Sequence, residues 1–251
     1  LLGTTVGSYD QFRKSIRNDR WNVGIQQELG KDIMVEVAYV GQRGRSLPVS
    51  TSSGSDDTRA INFYDEKWLS LGQRLNDPVP NPFLGLIPSG TLSFNTVTRG
   101  QLLMKFPHFT GVNLQRESIG NSFYHSLQIT GNKRMSYGLS VQGTYTWSKS
   151  LDQLRYINVW DPEPSKMIGE HDNPHRVTMA VIFELPFGKG KPISSHYAAV
   201  NKMIGGWETS GIYIYQTGIA VWLGSVLATG ISPKIDNPTI DDYFNRDSMK
   251  V

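Results

Sequence analysis

The chain has 251 residues, a formal net charge of +3, 38% hydrophobic residues and no cysteine. The missing cysteines exclude disulfide scaffolds, thiolate metal sites and cysteine nucleophiles. The basic excess is small and forms no run of lysine and arginine, so we expect no nucleic-acid partner.

The first periodic segment predicts a β-hairpin. Trp21, Val23, Ile25 and Leu29 are apolar on one side of the first run, and apolar residues occupy alternate positions again from Ile33 to Tyr39. Gly30 to Asp32 supplies a tight turn between the two runs. A period of two is typical of a strand with one apolar and one polar face.

A second hairpin follows with the clearest alternation in the chain. From Leu139 to Ser148 every odd position except a glycine is apolar and every even position is polar. The segment from Phe123 to Thr130 alternates in the same sense. We predict that Gly131 to Gly138 forms the polar turn between these strands.

A third hairpin is predicted from a less regular pattern. Its first strand runs from His175 to Leu185, and its return strand starts near Trp207 and passes Tyr213. Ile212 and Ile214 fall on the face opposite Tyr213, so the return strand is apolar on both faces. The uncharged stretch 209–233 is long enough for a transmembrane helix, but its glycines and β-forming residues favour strands.

The segments between these hairpins are very unequal in length. Residues 41–122 and 149–174 are long, rich in Gly, Pro, Asn, Asp and Ser, and without sustained periodicity. A compact soluble domain rarely contains so long an irregular connection as the first. Short turns on one side and long loops on the other are typical of an outer-membrane barrel.

The two faces of the predicted strands have different chemistry. The polar face carries side chains that suit a water-filled lumen: Gln26, Glu28, Glu36, Gln128, Gln142, Thr144 and Glu184. Large aromatic residues fall near the predicted strand ends: Trp21, Tyr39, Phe123, Tyr145 and Trp147 on the outer side, and Phe187 and Trp207 on the inner side. Two such girdles favour a barrel. A secreted β-sandwich remains the alternative, because alternation does not identify the medium on the apolar face.

Several segments resemble one family in the same order along the chain. They are 21–29, 37–41, 101–109, 123–135, 138–152, 173–176, 183–191, 204–212 and 215–218. Together they resemble the barrel of TonB-dependent receptors of the Oar-like, acidobacterial type. The resemblance covers nearly the whole chain.

The resemblance implies a 22-stranded outer-membrane barrel with a plugged lumen. It also implies three partners: outer-membrane lipid, the rest of the barrel with its plug, and a periplasmic TonB-type energy coupler that acts through the plug. No segment of 1–251 resembles the plug or the coupling box. We therefore interpret 1–251 as an internal part of an antiparallel transmembrane β-barrel, with about six strands, short periplasmic turns and long extracellular loops at 41–122 and 149–174. Six strands are too few to close a barrel on their own.

Enzyme-like motifs are weak. His171, Asp172 and His175 have the spacing of a helical metal site, but Pro174 disfavours a helix there, so a structural role is the better interpretation. The segment 188–191 lacks the spacing of a phosphate-binding loop, and no Gly-x-Ser-x-Gly elbow occurs. We expect no catalytic site, no cofactor and no metal.

The aromatic residues of the first long loop are the remaining candidates for ligand binding. They are Phe63, Tyr64, Trp68, Phe83 and Phe94. They could grip a ligand or pack the loop upon itself, and packing is favoured. The sequence predicts part of an outer-membrane TonB-dependent receptor for an unknown ligand. The alternative is an adhesive or structural surface β protein without transport, and a secreted β hydrolase ranks below both.

Overall fold

The computed structural model describes residues 1–50, 58–221, 227–240 and 242–250. Within these ranges the chain is built mainly of strands. They are β1 (Thr5–Tyr9), β2 (Arg17–Leu29), β3 (Ile33–Pro48), β4 (Thr58–Ala60), β5 (Pro78–Pro80), β6 (Thr96–Thr98), β7 (Gly111–Gln115), β8 (Ser118–Ser136), β9 (Leu139–Arg155), β10 (Ser165–Ile168), β11 (His175–Glu184), β12 (Glu208–Gln216), β13 (Leu227–Ala228) and β14 (Met249–Lys250).

The helices are short. They are α1 (Arg99–Leu103), α2 (Ala198–Ile204) and the 3-10 helices η1 (Glu66–Asn76), η2 (Thr91–Ser93) and η3 (Arg246–Ser248). None of the helices in the described ranges combines the length and the hydropathy of a membrane span. The first part of the stretch 209–233 is strand β12, and 222–226 lie outside the described residues.

One antiparallel sheet dominates the architecture. Its strand order is β12-β11-β9-β8-β3-β2, and β10 pairs with the outer part of β9. All three predicted hairpins are confirmed, since β2 pairs with β3, β8 with β9 and β11 with β12. The sheet is open, with β2 at one edge and β12 at the other.

The turns at the inner end of the sheet are shorter than the alternation alone indicated. Gly30 has φ +75° in the three-residue turn between β2 and β3, as predicted. Between β8 and β9 the turn consists only of Tyr137 (φ 51°) and Gly138 (φ 77°), the backbone of a type I′ turn. Residues 131–136, predicted as part of the turn, belong to β8 instead. Lys133 stabilises this tight turn through hydrogen bonds from its ammonium group to Ser136 and Leu139.

The sheet also extends further at its outer end. Strand β3 continues to Pro48, β8 begins at Ser118 and β9 continues to Arg155. These outer parts project beyond the alternating segments into the regions predicted as loops.

The connection between β3 and β8 forms a small folded unit together with strand β1. In it β7 lies between β1 and β4, β5 pairs with β6, and α1 follows β6. Ile87, Leu92 and Val97 form its buried cluster. Strand β1 pairs with β7 in parallel, with Thr5 opposite Gly111. A pairing over so large a sequence separation leaves no local pattern in the sequence.

Candidate functional site

The register of the sheet aligns its polar side chains into rows across the strands. One row consists of Gln26, Glu36, Thr130, Thr144 and Thr178. The hydroxyl oxygens of Thr130 and Thr144 lie 3.3 Å apart. From β2 to β11 the polar face predicted from the alternation is therefore continuous and rich in uncharged hydrogen-bonding groups, and the row ends at Ile214 on β12.

The opposite face is apolar over the same strands. The parallel row consists of Ile25, Val37, Ile129, Tyr145, Val177 and Tyr215. Four of these six side chains are exposed in the described chain, with Ile25 at 77%, and Tyr145 and Val177 are half-buried. An apolar surface of this extent is unfavourable in water and suits contact with lipid.

A belt of aromatic and histidine side chains crosses the outer part of the apolar face. The Trp21 indole lies directly over Gly41, where a Cβ atom would overlap it. The Tyr39 hydroxyl lies 2.6 Å from Nδ1 of His125. The belt contains Trp21, Tyr39, His125, Tyr145, Trp147 and His175. Side chains with an apolar body and a polar tip suit the level of the lipid head groups.

A bulge interrupts the pairing along β9. Leu151 of β9 lies opposite Ile168 of β10, and Trp147 lies opposite His175 of β11. Between these two positions, residues 148–150 of β9 face the longer segment 169–174. The extra residues leave the ladder, so their polar groups need other partners.

Asp172 supplies these partners within the bulge. Its side chain is 3% exposed, and its carboxylate accepts hydrogen bonds from the Ser150 backbone N–H (2.6 Å) and the Lys149 ammonium (2.8 Å). Ser148 donates from its backbone to the Pro174 carbonyl and from its hydroxyl to the Asn173 carbonyl. The bulge is thus fixed to β9 by a buried carboxylate.

Two side chains of the motif around His171 have partners within the protein. The Asp172 carboxylate forms a salt bridge with Lys149, and Nδ1 of His175 lies 2.8 Å from the Tyr145 hydroxyl. Across the described ranges, no cluster of three or more His, Asp or Glu side chains could hold a metal ion. The structural interpretation of this motif agrees with these contacts.

The polar face and the bulge together line a cavity of about 550 Å³. Its walls include Gln42, Gln128, Thr146, Asp152, His171 and Arg176. Most of the lining residues are polar and both signs of charge are present, although Phe123 and Tyr124 add apolar surface. The sequence predicted the face but not the cavity, because the bulge that borders it leaves no periodic pattern.

The loop unit is fastened to the sheet by a buried charge pair. Arg59 of β4 donates to both carboxylate oxygens of Glu117, at 3.0 and 2.9 Å, and both side chains are largely buried. The Arg59 guanidinium also lies 4.3 Å from the ring centre of Tyr156, just after β9. Burial raises the pKa of the Tyr156 phenol, and the nearby Arg59 charge opposes the rise only in part.

Two of the predicted loop aromatics contact a residue that was not among the candidates predicted from the sequence. Phe63 and Tyr64 each lie 6.1 Å, between ring centres, from Trp160 of the second long connection. The Trp160 indole N–H donates to the Tyr64 carbonyl at 2.8 Å. These contacts join the two long connections to each other. In the sequence, the presence of a tryptophan in the second long connection is the one feature that could have indicated this contact.

The other three aromatics are separated. Trp68 lies beside Lys67, with 5.3 Å between the ammonium and the ring centre. Phe83 packs on the buried cluster of the loop unit, and Phe94 is 64% exposed. The five aromatics therefore form no common site.

An antiparallel sheet with one polar and one apolar face, an outer aromatic belt and short inner turns defines a membrane-spanning β-barrel wall. Residues 1–241 match the family model described as outer membrane beta barrel domain. The chain belongs to this family. No curated protein and no solved structure matches it.

Family membership decides between the alternatives left open by the alternation. The fold is an antiparallel transmembrane β-barrel, and the sandwich interpretation is discarded. The protein resides in the outer membrane, where the apolar face contacts lipid and the polar face lines the lumen.

Proposed function

We propose that the chain forms part of the wall and the ligand-facing outer loops of a TonB-dependent receptor, of the Oar-like type that its sequence resembles. In this role the strands form the wall, the long connections face the exterior and recognise an unidentified ligand, and a plug fills the lumen. A periplasmic TonB-type coupler supplies energy through the plug. The proposal gives the chain no catalytic activity and no cofactor.

One observation carries the proposal of a plugged lumen. Ile182, Ile212 and Ile214 project from the lumenal face of β11 and β12, and they are 40%, 76% and 56% exposed. In an open, water-filled pore, three isoleucines on the inner surface would be exposed to water, which is unfavourable. A protein segment packed against these isoleucines would bury them, and the proposed plug would occupy that position.

A structured outer loop supports the receptor role. The connection between β3 and β8 has its own buried cluster and is fixed to the sheet by Arg59 and Glu117. A loop held in one conformation loses less conformational entropy when it binds a ligand. The same loop unit also supports the alternative, an adhesive surface protein, because its Leu86 and Phe94 side chains are exposed.

The plug is tested by cysteine labelling of the full-length protein in outer membranes. Residues 1–251 contain no cysteine, and any cysteine elsewhere in the full-length protein is replaced by serine before the single substitutions are made. We expect I212C to react slowly with a water-soluble maleimide and F94C, in the exposed loop, to react fast. Equal reaction of both would show that nothing covers the isoleucine patch and would favour the adhesive alternative.

Energy coupling is tested separately with the purified periplasmic domain of a TonB-type coupler. The receptor proposal predicts that this domain is retained by the immobilised full-length protein and not by the same protein after deletion of its plug. No retention by the full-length protein would contradict the proposal. This result is independent of the lumenal labelling.

A further inference from the structure

A group of basic residues lies on the lipid-facing side, just beyond the aromatic belt. Its cations are Arg17, Arg43, Arg45, Lys149 and Lys166, and we call them the basic band. The register places Arg43 two residues outward from Gly41, the position over which the Trp21 indole lies. The only carboxylates paired with the band among the described residues are those of Asp19 and Asp172.

Two members of the basic band share one aromatic ring. The Arg43 guanidinium carbon lies 5.3 Å from the ring centre of Phe123, and the Lys166 ammonium lies 4.8 Å from it. Two cations on one ring repel each other, and the ring compensates only in part. Such an arrangement is favoured when an anion lies nearby.

The other members of the band already have acid partners. Arg17 and Arg45 contact Asp19 at 2.8 and 3.5 Å, and Lys149 contacts the Asp172 carboxylate. Within the described residues, Arg43 and Lys166 form no ion pair. Asp19 lies opposite Arg43 across the ladder, but its carboxylate is in direct contact with Arg17 and Arg45 instead. Arg43 and Lys166 are thus the two cations of the band without a carboxylate in direct contact.

We propose that Arg43, Lys166 and Phe123 bind the phosphate of an anionic lipid head group of the outer leaflet. The guanidinium offers a planar pair of donors that matches phosphate, and the ammonium adds a second charge. The lipid's acyl chains then lie along the apolar rows below the belt. Because the cations adjoin the apolar face, a lipid is favoured over a free phosphate ion. The proposal requires the long connections to lie outside the cell.

The test uses the full-length protein purified in detergent and titrated with bisphosphorylated lipid A. The test variant is the double substitution R43Q/K166Q. The matched control is R20Q/K189Q, which also removes two positive charges. Arg20 lies opposite Gln42 on the lumenal face, and Lys189 lies in the connection between β11 and β12.

We expect R43Q/K166Q to bind lipid A about thirtyfold more weakly than the control, since each surface cation contributes about 1 kcal/mol to the attraction of an anionic head group. Dephosphorylated lipid A should bind both proteins weakly. Equal affinity of the test variant and the control for bisphosphorylated lipid A would overturn the proposal. Full displacement of lipid A by inorganic phosphate at equal concentration would overturn the lipid assignment in favour of a free-anion site.

Folding of the variants is checked by the shift in gel mobility that a folded barrel shows before heating. If R43Q/K166Q fails this check, K166Q alone provides the test, because Lys166 is exposed and its replacement leaves the ladder unchanged. About fivefold weaker binding by K166Q is then expected. Unchanged binding by K166Q would overturn the role of Lys166.

Discussion

The Tyr39 hydroxyl lies 2.6 Å from Nδ1 of His125, on the strand beside it. The same arrangement recurs at Tyr145 and His175, at 2.8 Å, with the two rings again stacked at a centre distance of 6.1 Å. In both cases the tyrosine lies diagonally across the ladder from the histidine. The repetition on two strand pairs marks a fixed level on the lipid-facing side, which we assign to the outer interface.

Removing the two tyrosine hydroxyls should weaken the barrel moderately. Each hydrogen bond contributes about 1 kcal/mol to the free energy of unfolding, so Y39F and Y145F should each cost about that much and the double variant about twice as much. Urea unfolding in lipid vesicles measures the effect. Y137F is the control, since Tyr137 lies fully exposed in the inner turn. A loss in Y137F equal to that in Y39F would contradict the role of the pairs.

A charge on the lipid-facing side should be far more costly than one on the lumenal side. Ile129 and Thr130 are neighbours on β8 and project to opposite faces. We expect I129R to lower the free energy of unfolding by about 2–4 kcal/mol. T130R should change it little, because Thr130 lies opposite Glu36 on the polar face. Equal effects in vesicle unfolding would show that the faces are wrongly assigned.

Gly41 should tolerate no side chain, because the Trp21 indole occupies the space above it. A Cβ atom at Gly41 would overlap the indole, whereas one at Gly131 on the same sheet would meet no atom within 4 Å. We expect G41A to cost about 1–3 kcal/mol of stability and to shift the tryptophan fluorescence as the indole moves. G131A is the matched control and should leave the fluorescence unchanged. An unshifted spectrum in G41A would contradict the packing.

The bulge should depend on the charge of Asp172. D172N weakens the hydrogen bonds to the Ser150 N–H and to Lys149, at a cost of about 1.5–3 kcal/mol for each bond lost. Hydrogen exchange should therefore become faster at the Ser150 amide. E163Q, at an exposed site in the same connection, is the control. Unchanged exchange in D172N would mean that the carboxylate does not hold the bulge.

Tyr156 should make the outer loop sensitive to alkaline pH. Burial raises the pKa of its phenol above the ordinary value of about 10, so the folded state favours the neutral form. Its contribution to stability is fully present below that ordinary value and is lost as the pH rises through the folded pKa. We expect proteolysis of residues 58–117 to increase over that pH range.

The variant Y156F tests whether the Tyr156 phenol causes this pH dependence. In the described part of the chain the buried Tyr156 hydroxyl has no hydrogen-bond partner, so Y156F should be as stable as the parent at neutral pH. The ring keeps its contact with Arg59. Y156F should lose the tyrosine component of the alkaline increase in proteolysis. The same pH dependence in both proteins would rule out Tyr156 as its source.

The sequence predicted those parts of the fold where a local pattern exists. Between Leu139 and Ser148 the alternation gives both the strand and the direction of each side chain, because lipid and lumen select opposite residue types. Beyond Ser148 the pattern disappears, since the outer end of β9 leaves the hydrocarbon region and polar residues occupy both faces. The extension to Arg155 was therefore missed.

The candidate site was predicted only in part for a similar reason. The polar face followed from its even-numbered positions, but the cavity depends on the bulge at 169–174 and on Asp172, whose role appears only in three dimensions. Among the loop aromatics, the contact of Phe63 and Tyr64 with Trp160 joins distant segments. Contacts of that kind carry no periodic signal.

The assignment of the two faces is tested most directly by a fluorophore placed on single cysteines along β8 and β9 in reconstituted membranes. The positions are 127–130 and 141–145. With lipids brominated on their acyl chains, we expect strong quenching at odd positions and weak quenching at even positions, whether or not a plug fills the lumen. Quenching without this alternation would contradict a barrel wall with odd positions facing lipid.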